Sequence, residues 1–239
     1  MMILYNEAAG EGEPIVFLHS GLQTGNTDFV KQRETIKNLM KVITLDLRGH
    51  GKSLSNNLNN FFEDAADDLK ETMEELEIEK FHLVGSSLGG LVGLIFAKKY
   101  PYFLISLTLS GITADRQDNW KELHGEDIRA QENLLHDTEI IKVLNQMHDS
   151  DWKQFIYKGR DEDWYPFEHT GDLEGIKAPI LFMVGEGNKA EVESASKYQR
   201  LHDNVHVCVI PFASHLVHEQ KPDVYTEVLM EFLNVIKEQ

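Results

Sequence analysis

The sequence predicts an α/β fold: a mostly parallel central sheet flanked by helices, with an inserted helical cap. Three observations carry that expectation. Short apolar runs bounded by glycine, proline or a polar residue recur along the chain. Helical patterns separate them, and strict alternation of strand and helix implies an open α/β sheet. The alternation lapses only once, over residues 112–174. A chain of 239 residues fits one medium domain with a lid, so a core of residues 1–111 and 175–239 with a cap of residues 112–174 is expected.

Strand signals fall at 14–18, 41–45, 81–84, 105–109, 180–184 and 205–210. These β-rich runs, bounded by Gly, Pro or a polar residue, fit strands buried on both faces of a parallel sheet. Phe62, Ala65, Ala66, Leu69, Met73 and Leu76 share one face of a helix, with acids opposite. Residues 88–99 form a small-residue and apolar helix that stops before Pro101. Residues 222–236 close the chain as an amphipathic helix bearing Val224, Val228, Leu229, Phe232 and Ile236 on its apolar side. Within the cap, polar helices are expected over 119–136, 138–147 and 151–157.

Composition narrows the function. With 41% hydrophobic and 26% charged residues, a sizeable core is available and global disorder is excluded. The net charge of -17 repels phosphate backbones and anionic lipid, so neither nucleic acid nor membrane is an expected partner. Cys208 is the single cysteine, which excludes an internal disulfide and a cysteine-rich zinc site. The amino-terminal stretch has no basic region before its short apolar run and does not resemble a signal peptide. Residues 81–97 lack charge, but they hold His82, two serines and four glycines, too polar for a membrane span. A soluble cytoplasmic protein acting on a small molecule is expected, and the sequence leaves its oligomeric state open. No H-E-x-x-H pattern exists, and Gly10-Glu11-Gly12 precedes the first core strand where a dinucleotide loop would follow it. No metal and no cofactor is expected. Sixteen acidic against seven basic residues fall in 112–174, together with Trp120, Trp152 and Trp164. These aromatics are expected to pack the lid, and some of them to face an apolar substrate pocket.

The chemistry sits first in Gly85-Ser86-Ser87-Leu88-Gly89, which reads G-x-S-x-G between a strand and a helix. A serine at such a turn projects above the sheet, and the flanking glycines keep Cβ atoms out of the bend. By the spacing Ser87, not Ser86, is the nucleophile. The helix that starts there offers free N–H groups, and that of Leu88 can stabilise an oxyanion. His215 follows the last strand in Pro211-Phe212-Ala213-Ser214-His215, on the sheet edge where the Ser87 turn also opens. It is the expected base. His218, close by, fits the start of the closing helix.

Together these motifs resemble the α/β-hydrolase superfamily, in its small lid-bearing esterase-like branch. His19-Ser20-Gly21 resembles the family's His-Gly oxyanion loop, with Ser20 where glycine is usual. Residues Asp46 to Ser53, reading DLRGHGKS, match the family's D-x-R-G-x-G-x-S run, taken as a structural signature. The resemblance implies the Gly21 N–H, or that of Leu22, as second oxyanion donor. It also implies an acid after the strand at 180–184, in a pattern close to G-E-x-D. The chain reads Gly185-Glu186-Gly187-Asn188, so asparagine stands at the usual acid position. The acid normally fixes the histidine tautomer and stabilises the imidazolium, and an amide brings no charge to that task. Glu186, or Asp115 in the loop after the strand at 105–109, takes its place, or else Asn188 itself orients His215 and activity is weak or specialised, while Glu191 and Glu193 read as a solvated helix face. The function expected is a serine hydrolase of small-molecule esters or thioesters with an atypical third triad member. The alternative is a catalytically weakened ligand sensor or signalling protein on the same scaffold.

Overall fold

The computed structural model describes residues 1–238. In chain order the elements are β1 (Asn6–Ala9), β2 (Pro14–Leu18), α1 (Val30–Ile36), β3 (Lys41–Leu45), α2 (Phe61–Glu75), β4 (Phe81–Ser86), α3 (Leu88–Lys99) and β5 (Leu104–Ser110). Four helices follow: α4 (Trp120–His136), α5 (Thr138–Met147), α6 (Trp152–Lys158) and α7 (Phe167–Thr170). The chain then returns through β6 (Ile180–Gly185), α8 (Lys189–Leu201), β7 (Val205–Ile210), α9 (Val217–Gln220) and α10 (Pro222–Lys237). No helix among the described residues is long and apolar enough to cross a membrane.

The sheet has seven strands in the order β1-β3-β2-β4-β5-β6-β7. Only β1 runs antiparallel, pairing Asn6 with Leu45 through Ala9 with Val42. Nothing in the sequence pattern announces β1: its residues, Asn-Glu-Ala-Ala, are largely exposed and carry no apolar periodicity. Its pairing comes from the β3 edge beside it rather than from its own side chains.

Strands β2, β4 and β6 divide their apolar side chains between two cores. Val16 and Leu18 of β2, Phe81 and Leu83 of β4, and Ile180 and Phe182 of β6 pack with Leu69 and Met73 of α2 and Leu91 and Leu94 of α3. Their neighbours Ile15, Phe17, Val84, Leu181 and Met183 face the other way, against Ile36 of α1 and Tyr225, Leu229 and Phe232 of α10. Period-two alternation with both faces covered explains why β2 and β6 read as continuously apolar. Each such side chain, fully buried, contributes about 1.5–3 kcal/mol of transfer free energy.

From β2 the chain steps outward to β3, then crosses back to β4 on the other side of β2. The loops after β2 and β4 therefore diverge, and the crevice between them is where open α/β sheets bind ligands.

The four inserted helices lie between β5 and β6. Asp137 and Asp151 cap α5 and α6 by accepting first-turn N–H groups. Leu144, Trp152 and Ile156 form a small core of their own, against which Leu22 packs. His148 ties this segment down: its Nδ1 accepts the Gly51 N–H at 2.8 Å, and its Nε2–H donates to the Leu22 carbonyl at 3.1 Å.

Candidate active site

Ser87 joins β4 to α3 with φ 52° and ψ -115°, a conformation unusual for a residue bearing Cβ. Close approach holds it there. A Cβ on Gly85 would collide with the Gly89 carbonyl oxygen, and one on Gly89 with that of Leu18. The two glycines let α3 start directly against the ends of β4 and β2. Ser86 is fully buried, whereas Ser87 is half-exposed at the bend.

Ser87 Oγ lies 3.0 Å from Nε2 of His215, within hydrogen-bond reach. His215 comes from the loop after β7, and its side chain remains 47% exposed, so the pair is open to a ligand. On the other side of the ring, Nδ1 lies 2.7 Å from Oε1 of Glu191.

Glu191 is the residue that sequence reasoning assigned to a solvated face. It is 1% exposed. Asn188, at the usual acid position, makes no hydrogen bond to His215 among the described residues. It is instead the N-cap of α8. Its Oδ1 accepts the Glu191 N–H at 3.3 Å, and its Nδ2 donates to Glu191 Oε1 at 2.6 Å. The carboxylate stands one helical turn further along the chain, and the amide at the usual position steadies it. Glu193, two residues on, is exposed. Glu186 and Asp115 are engaged elsewhere: Glu186 Oε1 accepts the Phe212 N–H at 2.7 Å, and Asp115 pairs with Lys197 at 2.6 Å. A signal for Glu191 was present. Asn188-x-x-Glu191 is a capping-box spacing, which directs the third helical residue back toward the N-cap.

Electrostatics follow the geometry. Burial alone pulls the His215 imidazole toward neutrality, but the hydrogen bond and charge of Glu191, with Asp127 of α4 adding, raise its pKa above the ordinary value. The carboxyl of Asp127 is itself raised, chiefly by desolvation, against the opposing charges of His124 and His215.

The oxyanion candidates also converge. The Gly89 N–H donates to the His19 carbonyl at 3.1 Å, holding the loop after β2 beside the start of α3. Gly21 faces Leu88 and Phe155: a Cβ there would lie 4.0 Å and 3.5 Å from them. Among the described residues no acceptor takes the N–H of Gly21, Leu22 or Leu88. The Asp46–Ser53 run supports this loop from below. Asp46 accepts the Gly25 and Lys52 N–H groups, each at 2.8 Å, and His19 Nε2 accepts that of Leu47 at 2.9 Å.

The three tryptophans pack against neighbouring side chains of the inserted helices and α2. Trp152 is 2% exposed and donates its Nε1–H to Asn145 at 2.9 Å. Trp164 packs on Phe61, Phe62 and Phe155, and Trp120 on His124, Tyr165 and Phe167. Phe155, rather than any tryptophan, lies over Gly21. A cavity of about 270 Å³, lined by Asn59, Phe61, Glu63, Lys158, Trp164 and His169 among others, opens at the seam of α2 with the inserted helices, and neither Ser87 nor His215 lines it. A nucleophile bonded to an imidazole, itself bonded to a carboxylate, is suited to acyl transfer.

Comparison with known proteins places the chain in a family. The human serine hydrolase BPHL is 36% identical over 116 residues, which cover 46% of this chain and 40% of that protein. The match thus spans less than half the length of that relative. NosK from Streptomyces actuosus superposes with a TM-score of 0.83 over 95% of this chain and 100% of its own, at 24% identity, which speaks for the fold alone. A thermophilic esterase from Thermogutta terrifontis superposes with a TM-score of 0.77 over 98% of this chain and 93% of its own, at 25% identity. The model for the alpha/beta hydrolase fold matches residues 13–139, more than half of the sequence, and the chain belongs to that family.

Proposed function

We propose that this protein is a serine hydrolase of small-molecule esters or thioesters, using Ser87, His215 and Glu191. The single observation that carries the reading is the unbroken relay from Ser87 Oγ to His215 Nε2 at 3.0 Å and from His215 Nδ1 to Glu191 at 2.7 Å. Ser87 Oγ attacks the acyl carbon while its proton passes to Nε2. The carbonyl π electrons move to oxygen, and the oxyanion is held by the N–H groups of Leu88 and Gly21, with Leu22 as the alternative to Gly21. Collapse expels the alkoxide or thiolate, which takes the proton from Nε2. Water, deprotonated by the same nitrogen, then attacks the acyl carbon, and the carboxylic acid leaves as Ser87 Oγ takes the proton back from Nε2. Glu191 keeps Nδ1 protonated and balances the transient imidazolium throughout.

The relatives support hydrolytic chemistry without fixing a substrate, since BPHL is described as a serine hydrolase and the Thermogutta protein as an esterase. The inserted helices reach the oxyanion loop, where a Cβ on Gly21 would lie 3.5 Å from Phe155. The sensor reading rested on the want of a carboxylate beside His215, and Glu191 removes that ground. A fluorophosphonate should label Ser87 stoichiometrically, found by mass spectrometry, and Ser87→Ala should abolish labelling. Folded wild-type protein that stays unlabelled would sink the proposal.

A further inference from the structure

Three residues beyond His215, His218 is fully buried, and its Nε2 lies 2.7 Å from Oδ1 of Asp28, which is 1% exposed. The two are 190 residues apart in sequence. Asp28 closes the loop that begins at His19. Its Oδ2 accepts the Ser20 N–H at 2.7 Å, and its Oδ1 also accepts the Phe29 N–H at 2.9 Å. Phe29, at φ 51°, stacks on the His218 ring at 4.2 Å, and Gln32 donates to the His218 carbonyl at 3.1 Å.

This pair is not explained as a metal site. Asp28, His218 and Glu219 offer ligand atoms within 4.8 Å of one another, but a separation of 2.7 Å between nitrogen and oxygen is a hydrogen bond. Both Asp28 oxygens are already occupied by N–H donors. Nor is stability a sufficient reason, since a buried ionisable pair repays its desolvation poorly. Burial pushes the Asp28 carboxyl up, but His218 and the two backbone N–H groups outweigh it and hold its pKa at about 2. It is therefore a charged, acceptor-only group at any working pH.

What the pair touches gives the reason. Ser20 is pinned at both ends: its N–H by Asp28, and its carbonyl by His19 Nδ1 at 2.8 Å and the Gln23 N–H at 3.1 Å. The Ser20 carbonyl and the Gly21 N–H belong to one planar peptide and point in opposite directions. Fixing Ser20 therefore aims the Gly21 N–H. We propose that the buried Asp28–His218 pair is a positioning device that locks the oxyanion loop, through the Ser20 N–H, to the loop that delivers His215. The catalytic consequence rests on the hydrolase reading above.

Asp28→Asn tests it with almost no change in shape. Three N–H donors converge on this carboxylate, and an amide must turn its NH2 toward at least one of them. Turnover of a nitrophenyl ester should fall about tenfold or more in kcat, as for a misplaced oxyanion donor, with KM within about twofold. A trifluoromethyl ketone, which forms a tetrahedral adduct with its oxygen in the hole, should lose affinity by the same factor. His218→Gln, able to offer an N–H to Asp28, should keep more activity than His218→Leu, and these variants read the same contact should Asp28→Asn fail to fold. Unchanged kcat and ketone affinity in folded Asp28→Asn, or losses that follow only the unfolded fraction, overturn the inference. Equal activities of His218→Gln and His218→Leu overturn it as well. A folded wild type that neither turns over esters nor binds the ketone overturns the hydrolase reading together with it, whereas an active wild type with an equally active Asp28→Asn overturns the positioning role alone.

Discussion

His215 must be neutral at Nε2 to take a proton from Ser87, yet Glu191 and Asp127 favour its charged form. The sign follows directly. A raised pKa means that lowering the pH protonates His215 early, so the acid limb of kcat/KM should lie above the ordinary imidazole value of about 6.5. Removing the Glu191 charge with Glu191→Gln should move that limb to lower pH, and Asp127→Asn should move it in the same direction by less. A pH–rate profile checks both, and a limb unmoved in Glu191→Gln would contradict the assignment. Among single residues, Ser87 and His215 stood out as candidates because a nucleophile-type bend and a post-strand histidine leave local signatures, and the structure brings the two within 3.0 Å. Glu191 was not, because acids near the start of a helix are common on solvated faces. Its burial depends on a loop from β7 arriving 24 residues later in the chain. The Asn188-x-x-Glu191 spacing gave a local hint of its direction but not of its partner.

The bend between β4 and α3 is the element most tightly determined by packing. Gly89→Ala would put a methyl group into the backbone of β2 at Leu18, which has no rotamer to yield. It should cost about 3 kcal/mol in denaturant unfolding, while Gly125→Ala, in the open middle of α4, should stabilise by somewhat under 1 kcal/mol. Similar midpoints for the two would show that the bend tolerates what the geometry forbids. Elements with strong apolar periodicity were legible: the expected run at 222–236 and α10 differ by one residue at one end. β1 was not, since an edge strand of four polar and small residues takes its conformation from β3.

Across the whole molecule, the proposed triad draws on three separated segments. The β4–α3 bend brings Ser87, the first turn of α8 brings Glu191, and the loop after β7 brings His215. Parallel strands deliver all three to one edge, which is why the sheet pointed to where these side chains would gather even though it did not single out Glu191. The inserted helices complete that edge from above, held by His148 to Gly51 and Leu22. Which of their large rings would lie over Gly21 depended on how α6 docks, and the sequence pattern does not carry that. The most direct test is steady-state hydrolysis of a nitrophenyl ester by the wild type, Glu191→Gln and Asn188→Ala. Glu191→Gln should lower kcat by about three to four orders of magnitude with KM nearly unchanged, whereas Asn188→Ala, which removes a helix cap and one supporting contact, should cost roughly tenfold or less. Full activity in Glu191→Gln, or equal losses in the two variants, would show that Glu191 is not the acid that serves His215.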